Sequence, residues 1–198
     1  PPSRWHRLHR DVRPGIRMAG DAFPELDAPV ILCVGRNSER AELAHLLDAE
    51  FGTAIHSSAT IAGSVVIGEG TVVLHRAVIQ PNSVIGRHVL INTAASVDHD
   101  NVIADFVHIS PHVTLCGHVE VGEGTHIGAG ATVIPGVKIG AWTTVGAGAV
   151  VLKDLPDHVT AVGNPARIVP NRSGQTVPQL GPIDLEADRR TAVPLGRR

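Results

Sequence analysis

The sequence predicts an all-β-dominant chain: a parallel β-helix wound on a six-residue repeat, preceded by a small, partial α/β unit. Three observations lead there. An aliphatic residue recurs every six positions from Ile55 to Val151 without a slip. A second small or β-branched position follows each of these at a fixed offset. Aromatic residues are nearly absent, with no Tyr, three Phe and two Trp, so the core has to be assembled from Gly, Ala, Val and Ile.

The first element, residues 1–54, is an arm followed by a fragment of α/β structure. Arg4, Arg7, Arg10, Arg13 and Arg17 stand among prolines and histidines and read as a solvated arm in preference to an anion site. The apolar run Val30 to Val34 ends in Gly35, and Asn37 or Ser38 can cap a helix that continues through Leu43, Leu46 and Leu47. This is one β-α unit. Gly15, Gly20, Gly35 and Gly52 do not have the spacing of a dinucleotide-binding turn.

The second element, residues 55–155, is the repeat. Its anchors begin Ile55, Ile61, Ile67, Val73 and end Val133, Ile139, Val145, Val151; all seventeen are Ile, Val or Leu. Four residues after each anchor the side chain is again small or β-branched, as at Thr71, Ala77, Val89 and Val113, with Asn101 the polar exception. Gly68, Gly86, Gly122, Gly128, Gly140 and Gly146 directly follow anchors and are expected to permit a sharp corner. A corner every six residues makes a triangular prism. Three hexads close a coil, so residues 18 apart stack at the ~4.8 Å spacing of paired strands. Strands of a sandwich would vary in length and alternate with period two, which this register does not do.

Beyond the turn Asp154 to Asp157 the register stops. Residues 156–169 carry Gly163-Asn164-Pro165-Ala166-Arg167, and the polar tail 170–198 has no periodicity and is expected to be mobile.

A formal charge of -2, from 17 basic and 19 acidic residues, provides no basic field for nucleic acid. Cys33 and Cys116 have no partner spacing, which argues against a disulfide framework or a thiolate zinc site. No apolar run approaches a membrane span and no signal-peptide pattern opens the chain, so a cytoplasmic protein is expected. Small-molecule and protein partners remain.

The 18-residue stacking locates chemistry. Ile127 to Ala131 read IGAGA and Val145 to Ala149 read VGAGA, so two Gly-Ala-Gly turns lie one above the other. Such a strip lets a narrow ligand arm lie against the backbone; turn-forming glycine alone is the competing reading. His99, in Val97-Asp98-His99-Asp100, occupies an outward corner between two carboxylates. An imidazole held in this way suits a general base. Gly117 stands 18 residues later, where its N–H is placed to face an oxyanion formed near His99.

The repeat resembles the hexapeptide-repeat transferase superfamily, and that resemblance implies left-handed coils, against the usual crossover rule. A narrower resemblance is carried by INTAASVDHDNVIADFVHISPHVTLCG (Ile91 to Gly117), VGAGAVV (Val145 to Val151) and VGNPAR (Val162 to Arg167). These stretches are similar to the bacterial sugar O- and N-acetyltransferases of the sialic-acid and bacillosamine pathways. The resemblance implies acetyl-CoA as donor, His99 as base with Asp100 as its partner, Gly117 as oxyanion donor, and His108 near the thioester carbonyl. It implies coenzyme A contacts at Gly128, Gly146, Ala147, Pro165 and Arg167, and an acceptor contact at Asn92. The acceptor is then the amino or hydroxyl group of a sugar, as in a nucleotide-linked amino sugar; no metal is needed, and three prisms pack as a homotrimer. Family members carry an N-terminal β-α-β unit with a Gly-rich turn, of which only the latter half is legible. Two further readings compete. One is a metal-dependent carbonic anhydrase of the same fold, which uses three histidines across a subunit boundary, with His108 and His126 stacked 18 apart and His112 and His118 nearby; the other is a non-catalytic scaffold.

Overall fold

A computed structural model describes residues 29–170 of the chain. The Arg-rich start and the tail beyond Pro170 lie outside the described residues. The register becomes a left-handed parallel β-helix. Its strands, two residues each, are labelled in chain order from β1 (Ala54–Ile55) to β17 (Val150–Val151) and advance six residues at a time. They stack into three parallel sheets. The eight-stranded sheet contains β7 (Leu90–Ile91), β10 (His108–Ile109) and β13 (His126–Ile127). The six-stranded sheet contains β8 (Ser96–Val97) and β11 (Thr114–Leu115), and the third sheet has five strands. Pairings such as Ser96 with Thr114 and His108 with His126 hold the 18-residue offset.

Every anchor from Val73 to Val151 is at most 2% exposed, and each such burial contributes about 1.5–3 kcal/mol before conformational entropy is set against it. The first coil differs because among the described residues no coil lies beneath it: Ile55 is 50% exposed.

The corners are not made where the sequence suggested. The left-handed residue stands three positions after each anchor, from Gly70 to Gly148, and includes Arg76, Asn82, His88, Asp100, Phe106, His118 and Trp142. Side chains are tolerated in this costly region because the same residue donates its N–H to the neighbouring coil, as Asp100 does to Pro81 O (3.0 Å) and His118 to His99 O (3.0 Å). The glycines directly after anchors serve close packing. A Cβ on Gly122 would lie 2.5 Å from Ala141 N, and one on Gly128 would lie 2.6 Å from Ala147 N.

The N-terminal unit docks on polar contacts. Helix α1 (Asn37–Leu46) begins at Arg36 without a side-chain cap, and its buried residues are Asn37, Arg40 and Ala41. The helix does not dock through its leucines at the C-terminal end: Leu46 is 78% exposed. Asn37 does not cap the helix, because its amide nitrogen donates to Gly124 O (3.0 Å) and Thr125 O (3.2 Å) on the prism. Arg40, fully buried, donates to His88 O and Phe106 O on two stacked corners, to Val34 O, and to Asn37 Oδ1. Burial lowers its pKa to about 10, so it remains a cation at neutral pH. A parallel bridge between Val30 and Phe51 closes the unit.

The far end also departs from the expected stop. Stacking continues past Val151 with two residues omitted, since Ile139 pairs with Leu155 and Thr144 with Thr160, an offset of 16. Strands β18 (Thr160–Val162) and β19 (Arg167–Val169) then form an antiparallel hairpin. Residues Gly163 to Ala166 of the motif are its turn, with Arg167 opening β19, and the turn is seated on β17 by Val150 N–H to Gly163 O (3.0 Å) and Ala166 N–H to Val150 O (2.8 Å).

Candidate active site

The corner after β8 collects the catalytic residues expected at His99, Asp100 and Gly117. Beneath it lies a polar ladder inside the prism. Ser83 Oγ and Asn101 Nδ2 both donate to Asp98 O (2.8 and 2.6 Å), and Asn101 also reaches Cys116 O (3.0 Å) and accepts from Val119 N–H (2.9 Å). The inward exception in the repeat is therefore what fixes the corner backbone. Asp98 Oδ1 accepts the N–H of His99 (2.9 Å).

His99 projects from this corner with half of its side chain exposed, and its Nδ1 lies 2.7 Å from Asp100 Oδ2. A carboxylate can only accept, so Nδ1 carries the proton and Nε2 is left with its lone pair. Asp100 is held from three sides. Asn82, one coil below, donates to its Oδ1 (3.2 Å); His118, one coil above, brings Nε2 within 3.9 Å of Oδ2. The hydrogen bond from His99, then that from Asn82, and the adjacent His118 keep the Asp100 carboxyl below its ordinary pKa.

Gly117 lies directly over the imidazole. A Cβ there would be 2.6 Å from His99 Cε1 and 2.7 Å from Nε2, so only glycine leaves the ring its place. Among the described residues the Gly117 N–H donates to no other group. A lone-pair nitrogen and a free donor are thus adjacent on one exposed corner, as acyl transfer requires.

His108 is not brought to this corner. It sits at the start of β10 on the eight-stranded sheet, where Nε2 accepts from Asn92 Nδ2 (3.2 Å) and its ring stacks on His126 at 4.9 Å. His126 in turn contacts Ser110 Oγ at 2.8 Å. Burial, then the charges of His126 and Arg40, depress the His108 pKa to about 4; burial and Arg40 lower that of His126. Both rings are neutral hydrogen-bonding groups at physiological pH. Asn92 is bound to His108, and a cavity of about 250 Å³ opens nearby, between the start of α1 and His126, Trp142 and Thr144.

The proposed coenzyme A residues fall into two classes. Gly128 and Gly146 are occupied by their own fold, since a Cβ on Gly146 would lie 2.8 Å from Val162 Cγ1. Ala147 is exposed, and around Gly130 and Gly148 a Cβ would meet nothing within 4 Å. The bare strip is therefore Ala129-Gly130 and Ala147-Gly148, leading up to the exposed Pro165 and Arg167 of the hairpin.

Within one chain the histidines of the carbonic-anhydrase reading, which draws its ligands from across a subunit boundary, do not meet at one place. His108 and His126 stack, whereas His112 and His118 stand on other corners. Among the described residues the group with metal-ligand proximity is His99, Asp100 and His118, with ligand atoms within 4.8 Å of one another. No described helix is long and apolar enough to cross a membrane.

Residues 118–153 match the bacterial transferase hexapeptide (six repeats) family. No curated protein matches the chain. Among solved structures, a histidine-to-asparagine variant of perosamine N-acetyltransferase from Caulobacter crescentus, in complex with CoA and GDP-perosamine, is 43% identical, with 71% of this chain and 69% of that chain covered and a TM-score of 0.70. The chain belongs to the hexapeptide-repeat sugar acetyltransferases. The acetyltransferase domain of PglB from Neisseria gonorrhoeae is 40% identical over 71% of this chain and 70% of that one, with a TM-score of 0.70. WeeI from Acinetobacter baumannii is 31% identical over 75% and 74%, with a TM-score of 0.71. This acetyltransferase shares with them the prism.

His99, Asp100 and Gly117, expected together from the sequence, do meet at one corner; Asn82 and His118, which share the 18-residue column of Asp100 and also reach its carboxylate, were not counted with them. Counting that column as the Gly-Ala-Gly column was counted would have found them. Arg40 left no such signal.

Proposed function

We propose that this sugar acetyltransferase moves the acetyl group of acetyl-CoA onto the amine of a nucleotide-linked amino sugar, with His99 as general base. The observation that carries this reading is the place of His99 Nε2 beside Gly117, where an added Cβ would stand 2.7 Å from it, with Asp100 on the opposite ring nitrogen. The acceptor amine attacks the thioester carbonyl carbon and the C–N bond forms. His99 Nε2 takes the amine proton as the carbonyl oxygen becomes an oxyanion facing the Gly117 N–H. The C–S bond then breaks, and the departing sulfur receives the proton, leaving amide and free coenzyme A. Asp100 stabilises the imidazolium between these events. The nucleotide-linked acceptor is supported by the GDP-perosamine of the relative that is 43% identical.

The site is completed by a second copy in a homotrimer. His108 lies on the eight-stranded sheet and Asn92 directly after its strand β7, whereas His99 follows β8 of the six-stranded sheet; a neighbouring prism then brings them, and the cavity under its α1, to the His99 corner. The pantetheine arm lies along Ala147-Gly148, toward Pro165 and Arg167.

His99→Ala should lower kcat by roughly 10²–10⁴ with coenzyme A affinity near wild type, and Asp100→Asn should have a milder effect. Turnover within a factor of three of wild type, with chemistry rate-limiting, refutes the base. Light scattering tests the assembly, and a monomer mass at working concentration refutes it.

A further inference from the structure

We propose that Asn82 is a positioning residue of the transfer site, whose amide fixes the Asp100 carboxylate and through it the tautomer of His99. The proposal rests on the reading of His99 as base. Asp100 is a short side chain on an exposed corner, and its χ2 is soft unless both oxygens are engaged. Oδ2 is engaged by His99 Nδ1 (2.7 Å) and Oδ1 by Asn82 Nδ2 (3.2 Å). Because a carboxylate offers no proton, the amide nitrogen must be the end that faces it.

Asn82 is itself anchored from below, its backbone N–H donating to Ser64 Oγ (3.0 Å). It occupies the same left-handed corner as Asp100, with φ of 62° against 57°, so the two side chains rise in register. Without the amide, Oδ1 is free to turn, and His118 Nε2 at 3.9 Å from Oδ2 can draw the carboxylate away from His99. The imidazole can then adopt either tautomer, and only the one with the proton on Nδ1 has a basic Nε2 against Gly117. The charged and titratable groups around the imidazole are Asp98, Asp100 and His118, and Asn82 is the neutral donor that sets one of them.

Two substitutions test this. Asn82→Gly keeps the left-handed corner, which glycine adopts freely, and removes the amide. Asn82→Asp keeps the shape and sets a second carboxylate against Oδ1. The ¹⁵N shifts of His99 in unliganded enzyme report its tautomer without reference to turnover. For Asn82→Gly the expected result is a smaller Nδ1–H fraction, kcat lower by about tenfold and KM for both substrates unchanged. For Asn82→Asp, which replaces the donor at Oδ1 with a second carboxylate, the Nδ1–H fraction should fall as well. A wild-type tautomer fraction in both variants overturns the proposal, as does a changed tautomer with undiminished kcat. If His99→Ala leaves turnover intact while the tautomer responds as expected, the base reading fails and the catalytic role of Asn82 falls with it.

Discussion

Gly117→Ala isolates the contact on which the mechanism turns. The substitution adds one methyl group to a residue whose φ lies outside the left-handed region, so the backbone accepts it. The methyl carbon would stand 2.6 Å from His99 Cε1 and 2.7 Å from Nε2. Ordinary van der Waals contact needs about 3.5–4.0 Å, so the ring must retreat by roughly 1 Å. His99 is half exposed and has room to swing outward, which breaks the 2.7 Å bond to Asp100 but disturbs no core residue. A displacement of that size costs on the order of 10²-fold in rate, or about 2.7 kcal/mol in activation free energy. Melting should move by no more than about 2 °C, as for a surface change. Thiol release under saturating substrates gives kcat, and calorimetry gives the Tm. An alanine variant with wild-type kcat would mean that the ring is not held under Gly117 in the working enzyme.

The coenzyme A strip is tested by Gly148→Asn, which suits the left-handed corner (φ 67°) and meets no neighbour within 4 Å. Its dissociation constant should rise at least tenfold, about 1.4 kcal/mol, and unchanged affinity by titration calorimetry would move the arm elsewhere. Gly146→Val is a poor substitute because it collides with Val162. Arg40→Met should destabilise docking of α1 by about 3 kcal/mol, leaving the His88, Phe106 and Val34 carbonyls without their donor; rapid proteolysis confined to residues 29–53, with the prism intact, is the expected readout, and wild-type resistance counts against it. Acid should weaken the fold through His108. Its folded pKa of about 4 lies below an unfolded value of about 6.5, so its contribution is complete above pH 6.5 and is lost as the pH falls towards 4. Denaturation at pH 7 and 4.5 should show a smaller pH dependence in His108→Asn than in wild type, and equal dependence would assign the loss to another group.

The prism was legible because its core is one-dimensional: a single aliphatic register decides both burial and strand pairing, and the 18-residue offset follows by counting. The His99 corner was legible for the same reason, since stacking converts sequence separation into distance. Three things were not. The corner glycines were misplaced because left-handed geometry is here enforced by hydrogen bonds to the next coil, so Phe106 and Trp142 adopt it as well as Gly130. The docking of α1 was not legible because it rests on a buried Arg40 satisfied by backbone carbonyls, which leaves no pattern in the sequence. The separation of His108 from His99 escaped because the resemblance gave each a role in the site without saying which sheet, or which copy of the chain, supplies it.

The shortened last coil has a consequence for polymerisation. A solenoid that ended at Val151 would present three open strand edges, each a template for another copy. Instead the five-stranded sheet ends against Leu155, which exchanges bonds with Lys138 O and Gly140 N–H (2.9 and 2.8 Å). The six-stranded sheet ends under the Gly163–Ala166 turn, and the eight-stranded sheet ends in β19, which runs against the direction of every parallel strand below it. Reversed polarity and the two-residue omission together spoil the register that an added coil would need. Fibre growth from this end is thereby blocked, and a chain cut after Val151 should aggregate end to end while the intact protein stays dispersed.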